Sequence, residues 1–203
     1  SLTLRAIESG LGSGLVDFVV LTTDDQQLFR LADLEGVILH KRSEELATGS
    51  ATANQLVAAI IKLIDAETKG AYENYNIVYL QPTSPLRNKD HVKRAIETHR
   101  LAPSRGLISG YQVEEPPYKW FTLDSENTVE PLFNQQLATA NRQSFKPVYA
   151  PNGAIYIFSK SAFLASNEIP IAGANFFKMS REESPDIDTL EDFKKIEQSH
   201  LID

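Results

Sequence analysis

Between residues 2 and 110, short β-branched runs alternate with segments of helical period, and few architectures accept that alternation. Leu2 to Leu11 has a helical pattern and precedes the apolar run 17–22; residues 26–34 are helical again and precede 37–40. Residues 53–69 predict a long helix with Leu56, Ile60, Leu63 and Ile64 on one side, followed by a strand over 76–80. Residues 88–102 predict a helix capped by Asn88, with Val92, Ile96 and Leu101 on one stripe, and 107–110 begin another strand. Strands joined by crossover helices form a doubly wound, mainly parallel sheet, so the expected class is α/β. Such a domain normally opens on a strand, whereas this chain opens on a helix. The first strand and the loop after it, the usual phosphate cradle, are therefore expected to be missing from these residues. Gly10-Leu11-Gly12-Ser13-Gly14 follows a helix and precedes a strand, the reverse of phosphate-loop order, and reads as helix termination and a tight turn.

The rhythm breaks between about 112 and 151, where prolines 116, 117, 131, 147 and 151 interrupt it and short aromatic pieces replace the helices. This excursion is either a substrate-covering flap or an oligomer contact. A strand over 154–158 restores the pattern, and an amphipathic helix over 189–200 closes it. At 203 residues the expectation is a single domain, 1–203, with the excursion as a small subdomain. The formal net charge of −7 argues against a general nucleic-acid binder, which needs a basic footprint. There is no cysteine, so disulfides, thiolate metal sites and cysteine nucleophiles are excluded. No run is long enough for a membrane span and no signal-peptide pattern opens the sequence, so the expected compartment is the cytoplasm.

The most loaded segment is Leu80-Gln81-Pro82-Thr83-Ser84-Pro85-Leu86-Arg87. Its prolines end the preceding strand, leaving Gln81 at a strand's carboxyl end, where open α/β sheets place ligands. A neutral amide there can donate and accept at once. Asp186-Ile187-Asp188 is the second candidate, because in an extended segment the two carboxylates project to one face. Converging like charges call for a cation such as Mg²⁺. The alternative is a cap cluster in which Asp188 starts the helix from Thr189. Asn152-Gly153 offers either a ligand contact or a plain turn. Arg142, in the excursion, and Lys41-Arg42, after a strand, are cations placed to meet an anion. The four histidines are scattered, and His91 and His99 read as surface residues of one helix.

In order, Thr23-Asp24-Asp25, Lys41 to Ala47, Leu80 to Arg87, Asn141-Arg142-Gln143, Asn152 to Ile157 and Ser184 to Thr189 resemble the acylneuraminate cytidylyltransferases. The resemblance covers essentially the whole chain. It implies that an acidic nine-carbon sugar attacks CTP, giving a CMP-sugar and pyrophosphate, with Mg²⁺ as cofactor. It further implies Asp186 and Asp188 as metal ligands, Arg42 on the cytidine-nucleotide side, and Gln81 against the sugar with Asn152 and Tyr156. Arg142 would meet sugar or phosphate charge. Family members are homodimers through such an excursion, from which Lys119 would reach a partner's site. Two departures stand out: the family's glycine-rich, basic N-terminal loop is not in these residues, and Ala150 stands where an arginine is frequent. The second points toward another acidic sugar, such as legionaminic or pseudaminic acid; transfer to an octulosonic acid is a separate alternative. A non-catalytic sugar- or nucleotide-binding remnant is the competing reading.

Overall fold

The computed structural model describes residues 1–48 and 51–198. Helix α1 (Leu2–Leu11) leads into strand β1 (Val19–Thr23), helix α2 (Gln26–Leu31) and strand β2 (Val37–Lys41). Helix α3 (Ala53–Glu67), strand β3 (Asn76–Tyr79), helix α4 (Lys89–Arg100) and strand β4 (Leu107–Gln112) continue the alternation. The excursion contains a hairpin, β5 (Phe121–Leu123) and β6 (Val129–Pro131), and a short helix α5 (Gln135–Thr139). Strand β7 (Tyr149–Ser159), helix α6 (Lys160–Leu164), strand β8 (Asn175–Lys178) and helix α7 (Leu190–Gln198) complete the described chain. The α/β expectation holds. The predicted end of the last helix, 199–200, lies outside the described residues.

β1 and β2 pair in parallel, and a second sheet has the order β3-β7-β4-β8. In that sheet β4 and β8 are parallel, while β7 runs against both β3 and β4. Three of its four strands therefore share one direction, and their carboxyl ends lie along one edge beside the amino end of β7. Among the described residues, the outer edges of β1 and β3 have no strand partner. Helices on both faces span that division. Gly10 of α1 packs so closely that a Cβ there would sit 3.3 Å from Val19 and 3.6 Å from Leu80. On the other face, α3 sets Val57 and Ile61 against Phe158 and Phe163, and Leu63 and Ile64 near Val20 and Ile38.

Local chemistry explains the boundaries. Thr52 and Gln55 form a capping box at the start of α3, and Asn88 accepts from the His91 N–H at the start of α4. The buried residues of α3 are Val57, Ile61 and Ile64; of the expected stripe Ile64 is buried, while Leu56, Ile60 and Leu63 are half-buried beside it. Leu101, expected on the α4 stripe, is 86% exposed beyond the helix end. His91 and His99 are buried rather than on the surface. The four-residue β8 was missed, as was the true length of β7, whose first residues look like loop. No helix among the described residues is long and apolar enough to cross a membrane.

Candidate active site

The carboxyl edge of the four-stranded sheet is built around an irregularity in β7. Ile108 of β4 pairs with Tyr156 and Gly110 with Pro151, so the single residue Ser109 faces the four residues 152–155. Such bulges re-aim side chains and collect near functional sites. The Ser109 hydroxyl fills this one, donating to Asn152 Oδ1 at 2.7 Å and accepting from the Ile155 N–H at 2.8 Å. Gly153 sits within it at φ +69°, a conformation costly for any residue with a Cβ. A Cβ on Gly153 would collide with the Gln81 amide oxygen and sit 3.6 Å from Ser84 Oγ. The Gln81 loop is thereby locked to the bulge: Ser84 donates to the Asn152 carbonyl at 3.0 Å.

Arg87 closes the loop from below. It is buried, and its guanidinium donates to the Gln81 carbonyl at 2.7 Å, the Ala154 carbonyl at 3.0 Å and Ser9 Oγ at 3.2 Å. Burial lowers its pKa to about 10, which still leaves it cationic at neutral pH.

The acidic segment reaches the same edge. The Ile187 N–H donates to the Thr83 carbonyl at 2.9 Å, tying Asp186-Ile187-Asp188 to the Gln81 loop. Ile187 is buried while Asp186 and Asp188 are both exposed, which is the alternation of an extended segment with its carboxylates on one face. The helix-cap alternative loses its residue: the Thr189 hydroxyl accepts from the Asp192 N–H, and Asp192 accepts from the Thr189 N–H and hydroxyl. Thr189 is the cap of α7, and Asp188 meets the capping Asp192 only through its main chain. Among the described residues neither Asp186 nor Asp188 has an ion-pair partner. Tyr156 is near enough to feel this charge; burial first, then Tyr79 and then Asp186, raise its phenol pKa. Its ring lies 6.0 Å from that of Tyr79.

Upstream of the pair, Glu183 Oε1 lies 3.2 Å from Nε2 of His91, anchoring the segment to α4. A hydrogen bond from the Ser180 N–H, assisted by His91, holds the Glu183 carboxyl below its ordinary range.

The other expected residues fall elsewhere. Lys119 and Arg142 come together on a cavity of about 290 Å³ in the excursion, with Lys146, Glu114 and Glu115. None of Gln81, Asn152, Tyr156, Asp186 or Asp188 lines it. Arg42 stands at the end of β2 and folds back, its guanidinium donating to the Thr22 carbonyl at 2.7 Å. Asn152 departs from expectation: it is only 4% exposed and its amide is spent inside the protein rather than offered to a ligand. Ser84, Arg87 and Ser184 fall within segments that the sequence singles out but have no role assigned from it, and Ser109 goes unmarked, although the small residues of Ser109-Gly110 inside a strand signal a bulge.

The family model described as cytidylyltransferase matches residues 2–201. An N-acylneuraminate cytidylyltransferase of Streptococcus agalactiae serotype V (strain ATCC BAA-611 / 2603 V/R) is 30% identical over 191 residues, covering 93% of this chain and 44% of that protein. The chain thus spans less than half the length of that relative. A pseudaminic acid cytidylyltransferase of Campylobacter jejuni subsp. jejuni serotype O:2 is 28% identical over 190 residues, covering 93% and 80%. A solved structure of CMP:2-keto-3-deoxy-manno-octonic acid synthetase complexed with CTP superposes with a TM-score of 0.61 at 13% identity, covering 98% and 87%, a likeness of fold.

Proposed function

The chain belongs to the cytidylyltransferase family, and on that premise we propose that the full-length protein couples CTP to an acidic sugar. The sugar is an N-acylneuraminate or a relative such as pseudaminic or legionaminic acid, in keeping with what the similar proteins are named for. Its anomeric oxygen bonds to the α-phosphorus and the bond from that phosphorus to the β-phosphate oxygen breaks. Pyrophosphate leaves, and the hydroxyl proton is lost to solvent. The observation that carries this reading is the Ile187–Thr83 bond, which sets two free carboxylates against the loop bearing Gln81.

The residues present fit a hard divalent cation. Two exposed carboxylates share a face, and no third His, Asp or Glu joins them among the described residues. That is the donor set of Mg²⁺ held partly by substrate phosphates. Bound there, Mg²⁺ would supply Lewis-acid neutralisation of the triphosphate. Gln81 and Tyr156 orient the sugar from the side of the bulge. Arg42, at the end of β2, serves the nucleotide. Lys119 and Arg142 offer positive charge to sugar or phosphate from the excursion.

The excursion itself fits a second copy of this chain. Trp120, Phe121, Leu123, Val129, Leu132 and Phe133 are each about half exposed, an apolar surface costly to leave in water. Trp120 also lines the Lys119–Arg142 cavity, so a copy seated there would border both cations. Sedimentation of the full-length protein is expected to give a homodimer, and Trp120→Ser to shift it toward monomer; a monomeric wild type sinks this assignment.

The transfer is tested by pyrophosphate release from CTP by the full-length protein with a panel of N-acetylneuraminic, pseudaminic, legionaminic and octulosonic acids. Turnover with at least one, abolished by chelating Mg²⁺, is expected. Binding of CTP or sugar with no turnover on any of them would instead leave a non-catalytic binding domain.

A further inference from the structure

The geometry points to Asn152 as a positioning residue that holds the Asp186–Asp188 segment in place, rather than a contact to the sugar. This rests on the metal assignment proposed above. Asn152 lies in the β7 bulge and all of its amide's hydrogen-bonding capacity is directed inward. Oδ1 accepts from Ser109 Oγ at 2.7 Å and from the Ala154 N–H at 3.2 Å. Nδ2 donates to Ser184 Oγ at 2.9 Å and to Met179 Sδ at 3.2 Å. The orientation of the amide is fixed chemically: a main-chain N–H can only donate, so the atom facing Ala154 is the oxygen.

Each partner lies on a different segment. Ser109 belongs to β4, Ala154 to β7, and Met179 follows β8. Ser184 stands two residues before Asp186. The Asn152 carbonyl also accepts from Ser84 in the Gln81 loop. Ser184 passes the constraint on, because its hydroxyl donates at 2.7 Å to the carbonyl of Ser180, where the chain turns out of β8 toward the carboxylates. One buried residue therefore ties three segments together: its amide holds the sheet edge and the root of the acidic segment, and its main-chain carbonyl holds the Gln81 loop. Exposed carboxylates bind a cation well only if the backbone beneath them is held, and partners behind the ligands are worth about 10–100-fold in metal affinity.

Two substitutions probe this link. Asn152→Asp keeps the shape and Oδ1 but replaces the donor facing Ser184 and Met179 with an acceptor. Ser184→Ala removes one hydroxyl, with its bonds to Asn152 Nδ2 and to the Ser180 carbonyl, and no bond between main-chain atoms, so it reads the same link if Asn152→Asp fails to fold. Mn²⁺ alone is the probe, titrated into the full-length protein by electron paramagnetic resonance. Both variants are expected to raise the Mn²⁺ Kd about tenfold. The double variant should be no worse than the weaker single, because the two residues form one link. In steady state, kcat should fall while KM for the acidic sugar stays within about twofold of wild type.

A tenfold rise in sugar KM with Mn²⁺ binding unchanged would make Asn152 a sugar contact and overturn the inference. So would unchanged Mn²⁺ binding in both variants, or no Mn²⁺ binding by the wild type. A wild type that binds Mn²⁺ but turns over no acidic sugar sinks the proposed transfer alone, and the Mn²⁺ titrations still decide the role of Asn152.

Discussion

Asp188→Asn in the full-length protein is expected to lower turnover at least about 100-fold while moving the thermal midpoint by less than about 2 °C. The two halves of that expectation have separate causes. Loss of a carboxylate that would hold the charge-neutralising Mg²⁺ removes several kcal/mol of transition-state stabilisation, and about 2.7 kcal/mol already corresponds to 100-fold. Stability, by contrast, has little to lose. The side chain is exposed, has no ion-pair partner among the described residues, and leaves the capping of α7 to Thr189 and Asp192. Removing one of two adjacent like charges can even stabilise slightly. Turnover and melting of the wild type and variant across a Mg²⁺ series check both. A large fall in midpoint with turnover retained would return Asp188 to a structural role.

The carboxylate pair was legible in the sequence because it depends on a two-residue period alone: Ile187 is apolar, its neighbours are charged, and the extended backbone does the rest. Asn88 as a cap and the 76–80 strand were legible for the same local reason. What failed was long-range. The β7 bulge is filled by Ser109, more than forty residues away in sequence, which donates to Asn152 Oδ1 and accepts from the Ile155 N–H where β4 and β7 lose register. From sequence, Asn152-Gly153 therefore looked like either a turn or a ligand contact, and the structure makes it an internal joint. On α3, Ile64 matches the expected stripe, whereas Val57 and Ile61 are buried in place of Leu56 and Ile60 because they meet Phe158 and Phe163 from a distant strand and helix. His91 is buried with a partner, Glu183, on a distant segment, a contact that helix period alone does not announce. Most of the fold was a matter of local pattern, whereas the relations among the loops of the site were set by side chains meeting across the sheet.

Arg87→Met carries the largest expected cost in stability, about 3 kcal/mol, or a fall of roughly 6–12 °C in the midpoint for a chain of this size. The sign is not automatic, because burying a guanidinium is itself expensive, as its lowered pKa reflects. Replacing a whole buried ionic group with apolar side chains can be neutral or stabilising. Here that escape is closed. Two of the three acceptors, the carbonyls of Gln81 and Ala154, are main-chain atoms that no side-chain substitution removes. Methionine would fill much of the volume yet remove a donor from both carbonyls and from Ser9 Oγ; the buried Ala154 carbonyl would be left unsatisfied, at about 1–3 kcal/mol, while the Gln81 carbonyl would keep only the long Ser84 N–H contact of 3.5 Å. The guanidinium is also one of the links between α1, the Gln81 loop and the bulge, so the loop should loosen along with the core. Thermal melting paired with the KM for the acidic sugar reads both effects. A midpoint unchanged or raised in Arg87→Met would mean that the desolvation cost outweighs the three hydrogen bonds, and that the Gln81 loop is held by Ser84 and Gly153 instead.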